Sequence, residues 1–163
     1  MQVLTDPTEI SNALFTNGAT VIEPEALSRM KRCVALTEGG IGILLFAGTR
    51  NDHVYQCAIF KHPGSKGAQM KAFTNEAFRY AFLNSNAYVV RGTVNKSNAQ
   101  MIAFASQING IYVKSQDANT YTYQITLASL AKHYGPQTVI DALNAAGRTA
   151  KVVKLWTAWE ASR

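Results

Sequence analysis

Residues 53–112 switch between two hydrophobic periods, and that switching limits the folds open to the chain more than any other feature. Val54-Tyr55-Gln56-Cys57-Ala58-Ile59-Phe60 is a run of β-branched and aromatic residues that stops at Lys61-His62-Pro63-Gly64. Proline and glycine end regular pairing there, so the run reads as a buried strand entering a tight loop. From 65 to about 84 the spacing becomes helical, with Met70, Phe73, Ala77 and Tyr80/Ala81 on one face and Phe78 and Phe82 on a stripe beside it. Residues 87–94 form the next strand. Ser97-Asn98-Ala99-Gln100 has the serine-x-x-glutamine form of a capping box, and the helix it opens carries Met101, Ile102, Phe104, Ala105 and Ile108 before ending at Asn109-Gly110. Ile111-Tyr112-Val113 starts another strand. Strand, loop, helix, strand, helix, strand is an α/β crossover pattern.

Ser65 is placed to cap the long helix, which would leave the amides of Lys66, Gly67 and Ala68 in its first turn with no intrahelical partner. Such amides, with the helix dipole behind them, attract an anion. Here the chain resembles the GCN5-related N-acetyltransferase (GNAT) family, and within it the acetyltransferase-like proteins of bacteriophages. Lys66-Gly67-Ala68-Gln69 sits where the family carries a basic, glycine-bearing loop, and Asn98 where it carries an asparagine opening the following helix; Phe82-Leu83-Asn84 and Arg91-Gly92-Thr93-Val94 add to the likeness. The resemblance implies an α/β fold with a mixed, mostly antiparallel twisted sheet flanked by helices. It also implies acetyl-CoA as cofactor, bound by Ser65, Lys66, Gly67, Ala68 and Asn98, with the edge at Tyr55 to Cys57 along the pantetheine.

Three departures bear on activity. No alignment of residues 62–70 places small residues at both glycine positions of the family loop; Ser65 or Gln69 intrudes. Ala105 stands seven residues after Asn98, where active members often carry a tyrosine that protonates the leaving thiolate. The strand before the loop has no carboxylate to act as base, leaving His53 at its edge and Tyr112 on a later strand as the candidate catalytic residues. Lost acid–base help is worth roughly 10²–10⁴ in rate.

Towards the N-terminus, Asp6-Pro7-Thr8-Glu9 carries the cap, first-turn proline and glutamate of a helix start, and Asn17-Gly18 its stop. Glu23-Pro24-Glu25 opens a second helix, with Ala26, Leu27 and Met30 as its buried side and Arg29, Lys31 and Arg32 near its C-terminal end. Residues 33–36 and 41–47 are strands around a hairpin turn at Glu38-Gly39-Gly40. On the far side, Tyr121 to Leu127 alternates at period two and pairs with the strand at 111–114.

The family pattern ends near residue 127, so 1–127 is expected to be a GNAT-like domain and 128–163 a helical extension and tail packed on it. Two short helices meet at Gly135-Pro136, faintly like a helix-turn-helix but one residue short in spacing. Residues 149–160 fit either a helix or a strand. Trp156 and Trp159 there call for a partner surface, since aromatic residues gather at interface centres.

A chain of 163 residues buries roughly 70% of its unfolded surface without needing a metal or disulfide. No His, Cys, Asp and Glu have metal-ligand spacing, so no metal is expected; Cys33 and Cys57 read as buried free thiols. No apolar window spans a membrane and no signal pattern precedes the first helix, which points to a host cytoplasm or a virion. A net charge of +6 suits a phosphate-bearing cofactor or nucleic acid without specifying either. The main expectation is a phage-type, virion-associated structural or assembly protein with a degenerate acetyl-CoA site, contacting other virion proteins or itself through the C-terminal extension. The alternative is an acetyl-CoA-dependent N-acyltransferase, and nucleic-acid binding stands third.

Overall fold

The computed structural model describes residues 1–161, with Trp159 and Glu160 described by backbone alone. Among them the chain forms seven strands in an open mixed sheet flanked by seven helices, an α/β fold. The chain divides into two compact units, residues 1–78 and residues 79 onward.

The first unit is an antiparallel meander of β1 (Gln2–Leu4), β2 (Val34–Glu38), β3 (Gly42–Gly48) and β4 (Val54–Lys61), with α1 (Pro7–Thr16), α2 (Pro24–Ser28) and the first part of α3 (Gly67–Asn84). β1 is absent from the sequence reading because three residues carry no period; pairing with β2 makes them a strand. The β2–β3 turn forms where glycine places it, with Ile41 N–H donating to Glu38 O. β3 is buried on both faces by period two. Ile43 and Leu45 pack with Ile10, Leu14 and Leu27 of α1 and α2. On the opposite face Phe46 meets the Phe78 ring edge-on at 5.9 Å.

α1 begins as expected, with the Asp6 carboxylate accepting from Glu9 N–H at 3.0 Å. α2 is shorter than expected and ends at Ser28; Leu27 is buried, whereas Ala26 and Met30 are exposed. Arg29 pairs with Glu25 across open surface, where such a pair is worth little. Arg32 turns left-handed (φ 47°) and lays its guanidinium over the Tyr55 ring. β4 is not the fully buried strand expected: Val54 and Tyr55 are covered, while Gln56, Ala58 and Lys61 are exposed. Cys33 and Cys57 are free thiols, as read, but half-buried.

α3 buries Met70, Phe73, Ala77, Phe78 and Phe82 as read from its spacing, while Tyr80 and Ala81, expected on the first stripe, are half-buried. The second unit contains β5 (Val89–Asn95), β7 (Thr120–Thr126) and β6 (Tyr112–Gln116), antiparallel and with β7 in the middle. α4 (Ala99–Ala105) stops at Ser106, short of Asn109-Gly110, and Ala105 lies in a cluster with Val94 and Tyr123. α5 (Leu127–Tyr134), α6 (Pro136–Ala145) and α7 (Thr149–Ala161) follow. The helix–helix joint at Gly135-Pro136 is as read, and the tail is a helix. α7 is tied down by basic side chains: Lys151 is buried with its ammonium on the carbonyls of Phe82 and Ala87, and Arg148 Nε donates to Leu83 O. Trp156 is half-exposed on the rim of an apolar hollow with Ile140 and Leu155; the Trp159 side chain lies outside the described residues.

No described helix is long and apolar enough to cross a membrane.

Candidate functional site

The turn from β4 into α3 is built by one histidine. His62 N–H donates to Ile41 O at 2.8 Å, its Nδ1 accepts from Gly64 N–H, and its carbonyl accepts from both the amide and the hydroxyl of Ser65. Nδ1 is therefore unprotonated in this arrangement. Pro63 is braced from outside by Gly18, whose left-handed φ of +68° and missing side chain let it lie where a methyl would come within 3.1 Å of Pro63 Cγ.

Ser65 is not the helix cap. Its hydroxyl is spent on His62 O, and α3 starts two residues later at Gly67, with Lys66 O accepting the first intrahelical bond from Met70 N–H. The Lys66 amide, expected to be open, is taken by Gln69 Oε1 at 3.1 Å. This is the reach-back half of a capping box, and Gln69 at the third helical position could have signalled it. The amides of Gly67, Ala68 and Gln69 remain without intrahelical acceptors by helix geometry. All three residues are exposed, as are Lys66 and Lys71.

Gly67 leaves room: a Cβ added there meets nothing within 4 Å. Three outward amides, a dipole, an uncrowded glycine and two lysines fit a phosphate group, although Gln69 withholds a fourth donor.

The other candidates are placed elsewhere. His53 is exposed in the turn at the opposite end of β4 from this loop, its amide on Asn51 Oδ1. Eight strand residues separate the two, a span of roughly 26 Å. Desolvation holds the Cys33 and Cys57 thiols above their ordinary range, so neither is a ready thiolate nucleophile.

In the second unit Asn98, not Ser97, caps α4: Asn98 Oδ1 accepts from Met101 N–H at 3.0 Å. Ala105 is sealed in the core at 1% exposure. Tyr112 belongs to a row across three strands: Arg91 Nε donates to Gln124 Oε1 at 2.6 Å, and Gln124 Nε2 donates to the Tyr112 hydroxyl oxygen. Its phenol proton is thus turned to other acceptors. Among the described residues no group of three or more His, Cys, Asp or Glu could hold a metal ion.

No family model matches the chain, and no curated protein matches its sequence. Its fold is nevertheless similar to solved structures. Mutant forms of the spermidine/spermine N-acetyltransferase SpeG from Vibrio cholerae align with a TM-score of 0.59 at 12% identity, over 83% of this chain and 96% of theirs. Spermidine N-acetyltransferase from the same organism, in complex with CoA and spermine, aligns with a TM-score of 0.55 at 13% identity, over 77% and 93%. The Campylobacter jejuni N-acetyltransferase PseH, in complex with acetyl coenzyme A, aligns at 0.46 and 22% identity; the match covers 57% of this chain and 64% of the PseH chain. The likeness is one of architecture: the chain has a GNAT-type N-acetyltransferase fold.

Proposed function

We propose that the chain is an acyl-CoA-dependent N-acyltransferase, with acetyl-CoA as donor and a primary amine as acceptor. The observation that carries this reading is the first turn of α3, where the amides of Gly67, Ala68 and Gln69 are free of intrahelical partners and a methyl at Gly67 would touch nothing. These amides would hold the donor's phosphates, with Lys66 and Lys71 adding charge. The donor would supply a thioester whose acyl group passes to the amine nitrogen. Neither Asn98 Oδ1, committed to its own helix, nor the buried Ala105 helps with protons. A fold shared with spermidine N-acetyltransferases favours this reading over the virion component.

Calorimetric titration and thermal melting with millimolar acetyl-CoA test it. Saturable binding should raise the melting temperature, by about 2.7 kcal/mol of stability at a hundredfold excess over Kd. Release of free thiol with a panel of primary amines should then identify an acceptor. A folded protein that gives neither heat nor a melting shift sinks the proposal.

A further inference from the structure

We propose that Arg91 and Tyr112, joined through Gln124 across β5, β7 and β6, form a binding site for a small organic carboxylate, whether or not the chain takes an acyl donor. The three residues stand in one row of the strand register, with Arg91 opposite Gln124 and Gln124 opposite Tyr112. Residues of the opposite parity on β5 and β7, Val94 and Tyr123, turn the other way and pack with Ala105 of α4. The row therefore lies on the sheet face away from α4. The next row on that face is neutral and open to solvent, with Thr93 and Ser115 exposed and Thr122 half-buried.

The hydrogen bonds along the row run in one direction. A guanidinium can only donate, so Arg91 Nε, at 2.6 Å, fixes the Gln124 amide with Oε1 towards it, and Nε2 is left to donate to the Tyr112 hydroxyl oxygen. Gln124 is 8% exposed and held at both ends, whereas Arg91 is half-buried and Tyr112 is 40% exposed. Donors are left over at the two accessible ends. One is the Tyr112 O–H; the other is the pair of terminal Arg91 nitrogens, which among the described residues have no hydrogen-bond or ion-pair partner. No Asp or Glu occurs in β5, β6 or β7, and their other charged residue, Lys114, falls at the β6 bulge, outside the paired register. A cation partly withdrawn from water without a counter-charge is costly. With Nε spent, the two terminal nitrogens present a fork that meets both oxygens of a planar carboxylate. The Tyr112 hydroxyl, on the far side of the glutamine amide, suits a second acceptor on the same molecule, so the ligand is a short chain with an oxygen group at each end. An amide or alcohol leaves the guanidinium charge unmatched, an ammonium ion is repelled, and a phosphate dianion exceeds the single charge of the row.

The test is an NMR titration of the ¹⁵N-labelled protein with sodium succinate at constant ionic strength, with succinamide as the neutral control and inorganic phosphate as a second anion. Saturable shifts are expected at the Arg91 Nε–H and the Gln124 side-chain NH₂, together with the backbone amides of Gly92, Tyr112 and Val113, and none with succinamide. Arg91→Lys keeps the charge and loses the fork, so it should weaken binding about fivefold or more. Tyr112→Phe, which removes only a hydroxyl from an exposed ring, should weaken it about threefold or more. Thermal melts establish that both variants fold, and Tyr112→Phe keeps the test decisive should Arg91→Lys not. Equal shifts with succinamide, tighter binding of phosphate than of succinate, an affinity unchanged in both variants, or no saturable shift because the guanidinium is simply hydrated, would each overturn the proposal.

Discussion

The ammonium of Lys151 lies 2.6 Å from the carbonyl oxygen of Phe82, in the last turn of α3, and 2.7 Å from that of Ala87. Burial, and then the nearby Arg148 charge, push its pKa down to about 8. Lys151→Ala would leave two carbonyls facing a void and should destabilise the protein by about 2–4 kcal/mol in chemical denaturation.

The same lysine gives a pH signature. Its folded pKa is below its ordinary 10.5, so between about pH 8 and pH 10.5 the unfolded chain holds a proton that the folded chain lacks. Stability attributable to this group therefore rises with pH across that window, by no more than ~1.4 kcal/mol per unit. Denaturation of the wild type and Lys151→Met at a series of pH values should reveal the rise in the first alone.

Gly42 and Gly48, at the two ends of β3, should respond differently to alanine. A Cβ at Gly42 would come within 2.6 Å of Phe60 O and of Met70 Sδ, and the first of these is backbone. At Gly48 the obstacle is the Arg32 guanidinium at 2.5 Å, the far end of a long side chain. Gly42→Ala should cost about 2 kcal/mol or more and Gly48→Ala less than half of that, as read by thermal melting.

Gly67→Asp separates stability from ligand binding. The added side chain enters open space, and an acidic residue suits a helix N-terminus, so the melting temperature should hold or rise slightly. Acetyl-CoA affinity, measured by calorimetry, should fall by about tenfold or more as a carboxylate occupies the proposed phosphate position.

Ala105→Tyr tests whether the departure from the family pattern can simply be reversed. Ala105 is fully buried and packs against Val94 and Tyr123. The variant should lose about 1–3 kcal/mol of stability and gain no acyl-transfer rate in a thiol-release assay.

Where local chemistry decides the outcome, the sequence was a good guide. The Asp6 cap, the Glu38-Gly39-Gly40 turn and the stripes of α3 need only neighbouring residues to specify them, and all three are present. Choices between near-equivalent local partners were not legible. Ser65 and Gln69, or Ser97 and Asn98, can each serve a helix start; His62 O claimed the Ser65 hydroxyl, and the backbone at Asn98 placed its amide over Met101. Still less legible were contacts made at long range. Lys151 looks like a solvated charge until Phe82 and Ala87, more than sixty positions earlier, supply its acceptors.

The loop at 62–65 is fastened by Ile41 O, by the histidine's own ring and carbonyl, and by Gly18 behind Pro63. The conformational freedom of that segment is therefore surrendered during folding and not upon encounter. If a phosphate binds at α3 as proposed, it meets a seat whose loop is already fastened, so association should proceed without a slow closing step and without the entropic penalty that mobile phosphate loops incur.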